Sequence, residues 1–318
     1  SVTSDPPSPV NGQMWYNSTD GAIKGFTSNP VGSWATGGAL NTARDQVIGT
    51  GTTNSSALAI SGATPTVVAN NESYNGSSWT ELSDLNQAKS GGAANGTTTS
   101  SLYYGGNPVP ISNTESWNGS SWTEVNNLNN FRGATFGGAG VDNTSALAFG
   151  GYDNVGSPIA KTYTESWNGT SWTEVNDMNT ARYALADAGI QTSALGFGGR
   201  NPGGPFSTNN ITESWNGTSW TEVADLNTNR AYAGGAGDSN TSALAFGGEA
   251  PPDTVNTEDW NGSSWTELSN MSTARNRLAG SGTTSSALAA GGLVDPNPQS
   301  ATEEFTAPLT NTVTFTVS

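Results

Sequence analysis

Any chemistry in this chain has to be done without histidine and without cysteine, since neither occurs among its 318 residues. That removes the imidazole general base, the Ser-His-Asp arrangement, thiolate nucleophiles, disulfides and most zinc, copper and haem sites together. What remains is carboxylate and guanidinium chemistry, with 26 acidic residues against 10 basic ones and a formal net charge of −16. Such a balance argues against nucleic acid and anionic membrane surfaces as partners. Paired carboxylates can hydrolyse a glycosidic bond, but 26 acids allow many pairs and single out none. The chain therefore reads as a non-enzyme, and no cofactor and no metal is expected.

The basic residues are not scattered. Lys89, Arg132, Arg182, Arg230 and Arg275 each close a short segment ("DLNQAK", "NLNNFR", "DMNTAR", "DLNTNR", "NMSTAR"), and "ALNTAR" adds Arg44. They form either a cationic ring for an acidic ligand or a set of structural partners for an equally regular glutamate: Glu72, Glu115, Glu165, Glu213, Glu258 and Glu303. Matched number and period favour the structural reading, because a residue repeated in every copy serves the repeat. Recognition is expected where copies differ. The segments "NPVPISN", "YDNVGSPIAK", "RNPGGPFSTNN", "EAPPDTVN" and "LVDPNPQS" vary in length, charge and aromatic content on an otherwise regular scaffold. Tyr152, Asp153, Arg200, Phe206, Asp253, Asp295 and the extra Arg277 of "ARNR" are the candidate ligand-binding residues. Asp153, Asp253 and Asp295 suit Ca²⁺ by type, yet no closely spaced Asp/Asn ligand set accompanies them.

The elements that must carry these residues are strands. "ESYNGSSWTEL", "ESWNGSSWTEV", "ESWNGTSWTEV" (twice) and "EDWNGSSWTEL" are five near-copies of a hairpin centred on Asn-Gly, the pair preferred in a two-residue type I′ turn. The two aromatics of each copy then share a face. The Asn-Gly-Ser/Thr sequons are read as a by-product of turn and strand, not as glycosylation sites. After each basic residue comes a run of small residues, then a strand such as "SALAFGG" that closes on small residues, usually Gly-Gly. The second Trp of each unit stands at 34, 79, 122, 172, 220 and 265, intervals of 43 to 50 residues. Four short strands at that period are the signature of a β-propeller blade, with the small-residue strand innermost and the Trp hairpin outermost. Strand 2–3 and strand 4–1 connections would then share one face, with the Asn-Gly turns on the other.

A basic residue, a small inner strand, Gly-Gly, then Glu-x-aromatic, a turn and Trp: this order resembles the kelch repeat over 32–306. The resemblance implies an all-β, six-bladed kelch-like propeller. Copper-dependent kelch oxidases need ligands that this chain lacks, and no sialidase-like cluster is evident. The N-terminal "SDPPSPVNGQMWYNSTDGAIKGFT" is similar to a short module of bacteriophage tail and structural proteins, and the repeats are similar to those of marine bacteriophages. The resemblance implies a non-catalytic virion structural protein, a tail or fibre component displaying the propeller to a host-surface glycan. Capsid decoration is the alternative reading, and a secreted carbohydrate-processing enzyme a more distant one. The implied partners are other virion proteins and a glycan, without nucleic acid or membrane insertion, and a homo-oligomer is compatible. The implied location is the extracellular particle. No apolar run is long enough to span a bilayer, no signal peptide is found, and a start at Ser1 without Met suits a processed product or part of a longer one.

The domain reading is a Pro-rich lead-in and hairpin for attachment over 1–31, the propeller over 32–306 and a strand over 307–318. "ATEEFTA" near the end lacks the Asn-Gly turn and following Trp that "GSWATGG" near the start supplies, so one blade is expected to be shared by both ends. "TNTVTFTVS" alternates Val313, Phe315 and Val317 with threonine, predicting a strand with one buried face against the N-terminal hairpin.

Overall fold

The computed structural model describes residues 1–29, 31–108, 111–153, 159–201 and 207–315. Among them the fold is all-β, without a helix, and it is dominated by four-stranded antiparallel sheets. Six such sheets occur among the described residues. The first runs Ile48–Thr53, Ser56–Ile60, Asn71–Tyr74, Trp79–Glu81, each strand pairing with the next. The sheets within 93–125, 137–174, 186–223 and 234–267 repeat this order. The sixth is built from both ends of the array: Ala279–Thr283, Ser286–Ala290 and Thr302–Thr306 are completed by Ser33–Thr36. Trp34 lies opposite Phe305, as the missing-strand argument expects.

Composition explains the layering. The first strands carry Gly and Ala because they lie side by side: 48–53 packs on 93–97, and so on in order to 279–283, which packs back on 48–53. A β-carbon on Gly235 would sit 2.1 Å from the Asp187 carbonyl oxygen, and one on Gly49 2.5 Å from that of Gly280. Only glycine permits that approach. Farther out the sheets diverge and aromatics fill the gaps. Trp167 pairs directly with Trp172, their centroids 5.4 Å apart, and Trp172 lies against Tyr104 of the preceding sheet at 4.8 Å. The core is accordingly a series of clusters, each bridging two neighbouring sheets.

The hairpin turn differs from the two-residue type I′ expectation. With Trp167 opposite Trp172, four residues, Asn168 to Ser171, make the turn. Asn168 is not in the left-handed region; Gly169 is, at φ +89°. The Asn168 Oδ1 accepts the backbone N–H of Thr170 and of Ser171, each at 2.9 Å. Asparagine is therefore chosen here for its side-chain acceptor and not for a tolerance of positive φ.

A three-stranded sheet lies outside the repeats, with Met14–Asn17 pairing Ala22–Asn29, and Ala22–Asn29 pairing Leu309–Phe315. The C-terminal strand thus joins the N-terminal hairpin as expected, but Phe315 does not lie on a buried face. Phe315 stands opposite Ile23 and both are exposed, because none of the described residues covers that side. Val317 lies outside the described residues. The opposite face is held by Asp5, which accepts hydrogen bonds from Trp15 Nε1 at 3.0 Å and Asn17 Nδ2 at 2.7 Å and pairs with Lys24. Those hydrogen bonds, from Asn17 first, then Trp15 and Lys24, lower the Asp5 carboxyl to about 2.

Candidate functional site

The six repeated cations are structural. Arg44, Lys89, Arg132, Arg182, Arg230 and Arg275 are fully buried, each in an ion pair with its repeated glutamate. Arg132 shows the pattern: its guanidinium reaches Glu165 at 2.8 Å and donates to the carbonyls of Gly150 and Tyr163. The second oxygen of Glu165 accepts the backbone N–H and the amide of Asn129, at 2.7 and 2.8 Å. One carboxylate thereby ties the connection arriving from one sheet to the next sheet. Burial pulls the Arg132 guanidinium below its ordinary value, with Glu165 opposing. No cationic ring faces a ligand from these positions.

Two residues beyond each cation lies a position with left-handed backbone: Gln46, Gly91, Ala134, Ala184, Tyr232 and Arg277, with φ between 51° and 63°. That turn lets several copies bond to their neighbours. Tyr232 N–H donates to Ala184 O at 2.8 Å, and Arg277 N–H to Tyr232 O at 2.9 Å. Glycine adopts this conformation freely, whereas Gln46, Ala134, Ala184, Tyr232 and Arg277, each with a β-carbon, are strained there by about 1 kcal/mol or more. At Tyr232 and Arg277 the side chain at this position also has a use.

That use is a belt across the loop face. Tyr152 packs edge-on against Tyr183 at 5.4 Å. Arg200 hydrogen-bonds the Tyr183 side chain, pairs with Glu249, and lies 5.3 Å from the Tyr232 ring centroid. Arg277 lies at the same 5.3 Å from Tyr232 and pairs with Asp45 at 3.2 Å. Burial is the main reason the Tyr232 hydroxyl is pushed up to about 12, with Arg200 and Arg277 opposing. Cation–π stacking of this kind fixes the guanidinium planes.

Beside the belt is a cleft of about 610 Å³, between the loop after "AFGG" of the fifth sheet and the loop after "AAGG" of the sixth. Its polar lining includes Arg200, Glu249, Asp253, Asn276, Arg277 and Asp295, and Pro251, Pro252, Leu293 and Val294 give it an apolar wall. Asn276 Nδ2 donates to both oxygens of Asp253, at 2.8 and 2.9 Å. Asp253 is raised above the ordinary carboxylate range by burial first, with Asn276 opposing and Glu249 and Asp295 adding.

Four of the seven candidate residues, Arg200, Asp253, Arg277 and Asp295, thus meet in one cleft. Tyr152 belongs to the belt, outside the cleft. Asp153 does not join them: it sits in a two-stranded ribbon, Tyr152–Asp153 with Ile159–Ala160, and pairs with Lys161 at 2.9 Å. Phe206 lies outside the described residues. Sequence reasoning missed Tyr183, Tyr232, Glu249 and Asn276. Three of these were within reach, because aligning the copies on the basic residue puts Tyr183, Tyr232 and Asn276 in columns otherwise filled mostly by small residues. Among the described residues no group of three or more Asp and Glu is arranged to hold a metal ion.

A second cavity of about 200 Å³ lies among the first strands, lined largely by glycine backbone, with Asn95 and Asp187 among its few polar side chains. Burial pushes the Asp187 carboxyl up to about 7, with a hydrogen bond from the Gly138 N–H opposing. Comparison of the chain with known protein families and with curated proteins finds no match to either.

Proposed function

We propose that the six four-stranded sheets are the blades of a closed, kelch-like propeller, and that this propeller is a non-catalytic recognition module of a bacteriophage particle. In this reading it belongs to a tail or fibre and binds a glycan on the host surface through its loop face. Ring closure is supported by the sequential packing of the first strands and by the pairing of Ser33–Thr36 with Thr302–Thr306. The observation that carries the recognition role is the cleft, where variable loops of two sheets bring acidic, guanidinium and apolar groups together beside Tyr232 and the two guanidiniums stacked on it. Its size and its mix of an apolar wall with a few polar groups suit a small ligand such as one or a few sugar units.

The particle assignment draws on the N-terminal segment and on the sheet it builds. Met14, Tyr16, Ile23 and Phe315 are exposed, and the pairing Tyr16↔Ile23↔Phe315 puts their strands' apolar positions in one row. Residues 1–31 and 307–318 carry two acids and one base, so nearly all of the −16 charge lies on the propeller. An apolar, nearly neutral sheet suits attachment to another virion protein, while the acidic propeller stays in solvent.

The experiment is adsorption of the purified, labelled chain to host cells, with Tyr232→Ala and Arg277→Ala placed in the belt and Asn118→Ala and Asn168→Ala in the opposite turns. Loss of adsorption in the belt variants alone supports the reading. Loss in the turn variants alone, with the fold intact, places binding on the other face. Particle images in which the propeller coats the capsid shell would favour decoration over a tail role.

A further inference from the structure

The cleft between the loops of the fifth and sixth sheets has an imbalance of hydrogen-bonding groups. Its two guanidinium charges are each paired with a carboxylate, Arg200 with Glu249 and Arg277 with Asp45, and both lie against Tyr232, although Arg277 Nε makes no hydrogen bond. Asn276 gives its amide hydrogens to Asp253. The acceptors are in surplus. Asn276 is 6% exposed, and its Oδ1, turned away from the Asp253 carboxylate by the bonds its Nδ2 makes, accepts no hydrogen bond. Asp253 and Asp295 each bring a carboxylate with no ion-pair partner among the described residues. An acceptor left without a donor is destabilising, and a donor supplied by a ligand would relieve it.

From this juxtaposition we propose that the cleft selects a glycan carrying a free, protonated amine, such as a deacetylated amino sugar, over neutral and acidic glycans. The inference rests on the reading of the loop face as a glycan site. An ammonium has three donors and no acceptor, which matches carboxylates that lack a counter-charge. It disfavours uronates and sialylated or phosphorylated sugars, whose anions would meet Asp253, Asp295 and Glu249 while each arginine is already paired with a carboxylate. The acceptors come from three separate segments, the loop holding Asp253, the connection holding Asn276 and the loop holding Asp295. A sugar ring spreads its amine and hydroxyl donors over several such points, and its apolar face fits the wall of Pro251, Pro252 and Leu293. A lysine side chain concentrates its donors at one point and leaves the others unmet.

The test is calorimetric titration of the full chain with chitotetraose, its N-acetylated form, tetragalacturonate and a tetralysine peptide, in a weakly acidic buffer that keeps the amines protonated. Chitotetraose is expected to bind about tenfold or more tightly than the acetylated form, a difference of about 1.4 kcal/mol. Asp253→Asn with Asp295→Asn should abolish that preference. Glu267→Gln, on the exposed outer hairpin, should keep it, which separates the cleft from the general attraction of a cation to an acidic protein. Thermal unfolding of each variant confirms the fold. Equal or tighter binding of the acetylated or acidic oligomer overturns the amine preference and leaves the glycan reading standing. Binding of tetralysine alone, or of none of the four, overturns both.

Discussion

A fully buried arginine is stabilising only while its partner is present. Arg132 has no exposed surface and is matched by Glu165 and by two backbone carbonyls. Replacing Glu165 by Gln leaves the guanidinium buried without a counter-charge and is expected to cost about 3–5 kcal/mol in urea unfolding. The same change at exposed Glu267 should cost less than about 0.5 kcal/mol. A loss at Glu165 below about 1 kcal/mol would mean that solvent or a rearranged carbonyl satisfies the arginine instead. Asp187 works in the opposite sense. Burial holds it neutral in the folded chain to about 7, whereas its ordinary value is 3.8. The folded state is therefore favoured most below that ordinary value and loses the advantage as pH rises through the folded value. Asp187→Asn keeps an acceptor for the Gly138 N–H and cannot ionise, so it should match the native chain in acid and exceed it above neutrality. Asp187 is only half-buried by surface area and lines the cavity of about 200 Å³, which moderates the gain to an expected size on the order of 2 kcal/mol. Melting temperatures of the two proteins that run parallel across the whole pH range would refute this account of Asp187.

At the scale of the element, the turn shows where sequence reading succeeds and where it stops. The hairpins, their aromatic pairs and the small inner strands were legible because each copy restates the same constraint, and five near-copies leave little room for another period. The turn type was not, since Asn-Gly serves two geometries and only the four residues between paired tryptophans decide. Gly169 is the residue that must be left-handed, and Gly169→Ala should destabilise the chain by about 1 kcal/mol through the backbone alone. A β-carbon there meets Thr144 O at an ordinary 3.4 Å, so crowding adds nothing. Equal stability of Gly169→Ala in chemical unfolding would show that the turn relaxes freely. The belt lay hidden for a different reason. The loops stand out by varying in length, whereas Tyr183 and Tyr232 vary in identity inside a connection of constant form. Nothing in a single sequence says that Arg200, from a loop of one sheet, will lie on Tyr232 from the connection to the next. That contact exists only once the sheets stand side by side.

The whole molecule depends on one four-residue strand. Without Ser33–Thr36 the sixth sheet has three strands, and the Thr302–Thr306 edge and Phe305 lose their cover. Trp34 also reaches the preceding sheet: its ring stands 5.0 Å from Phe246, and its Nε1 donates to Thr257 Oγ1 at 2.9 Å. Just before it, Ser269 N–H donates to Val31 O at 3.0 Å and Ser269 Oγ to Gly32 O at 2.9 Å. The start of the chain therefore clasps two sheets whose other strands lie more than two hundred residues further on. A contact of such sequence separation is slow to form and, once formed, ties both ends of the array to one cooperative unit. Two deletions separate this clasp from the terminal sheet beyond it. Removing residues 1–30 takes away the hairpin but keeps Val31 to Thr36, and should leave one unfolding transition near that of the full chain. Removing residues 1–36 exposes a sheet edge and the Phe305 ring, and should give a broad, lower transition and concentration-dependent association, since open edges pair with other chains. Calorimetry and light scattering on the two products distinguish them. If the longer deletion melts as sharply and as high as the shorter one, the array stands without its clasp, and the proposed ring is held by the packing of its inner strands alone.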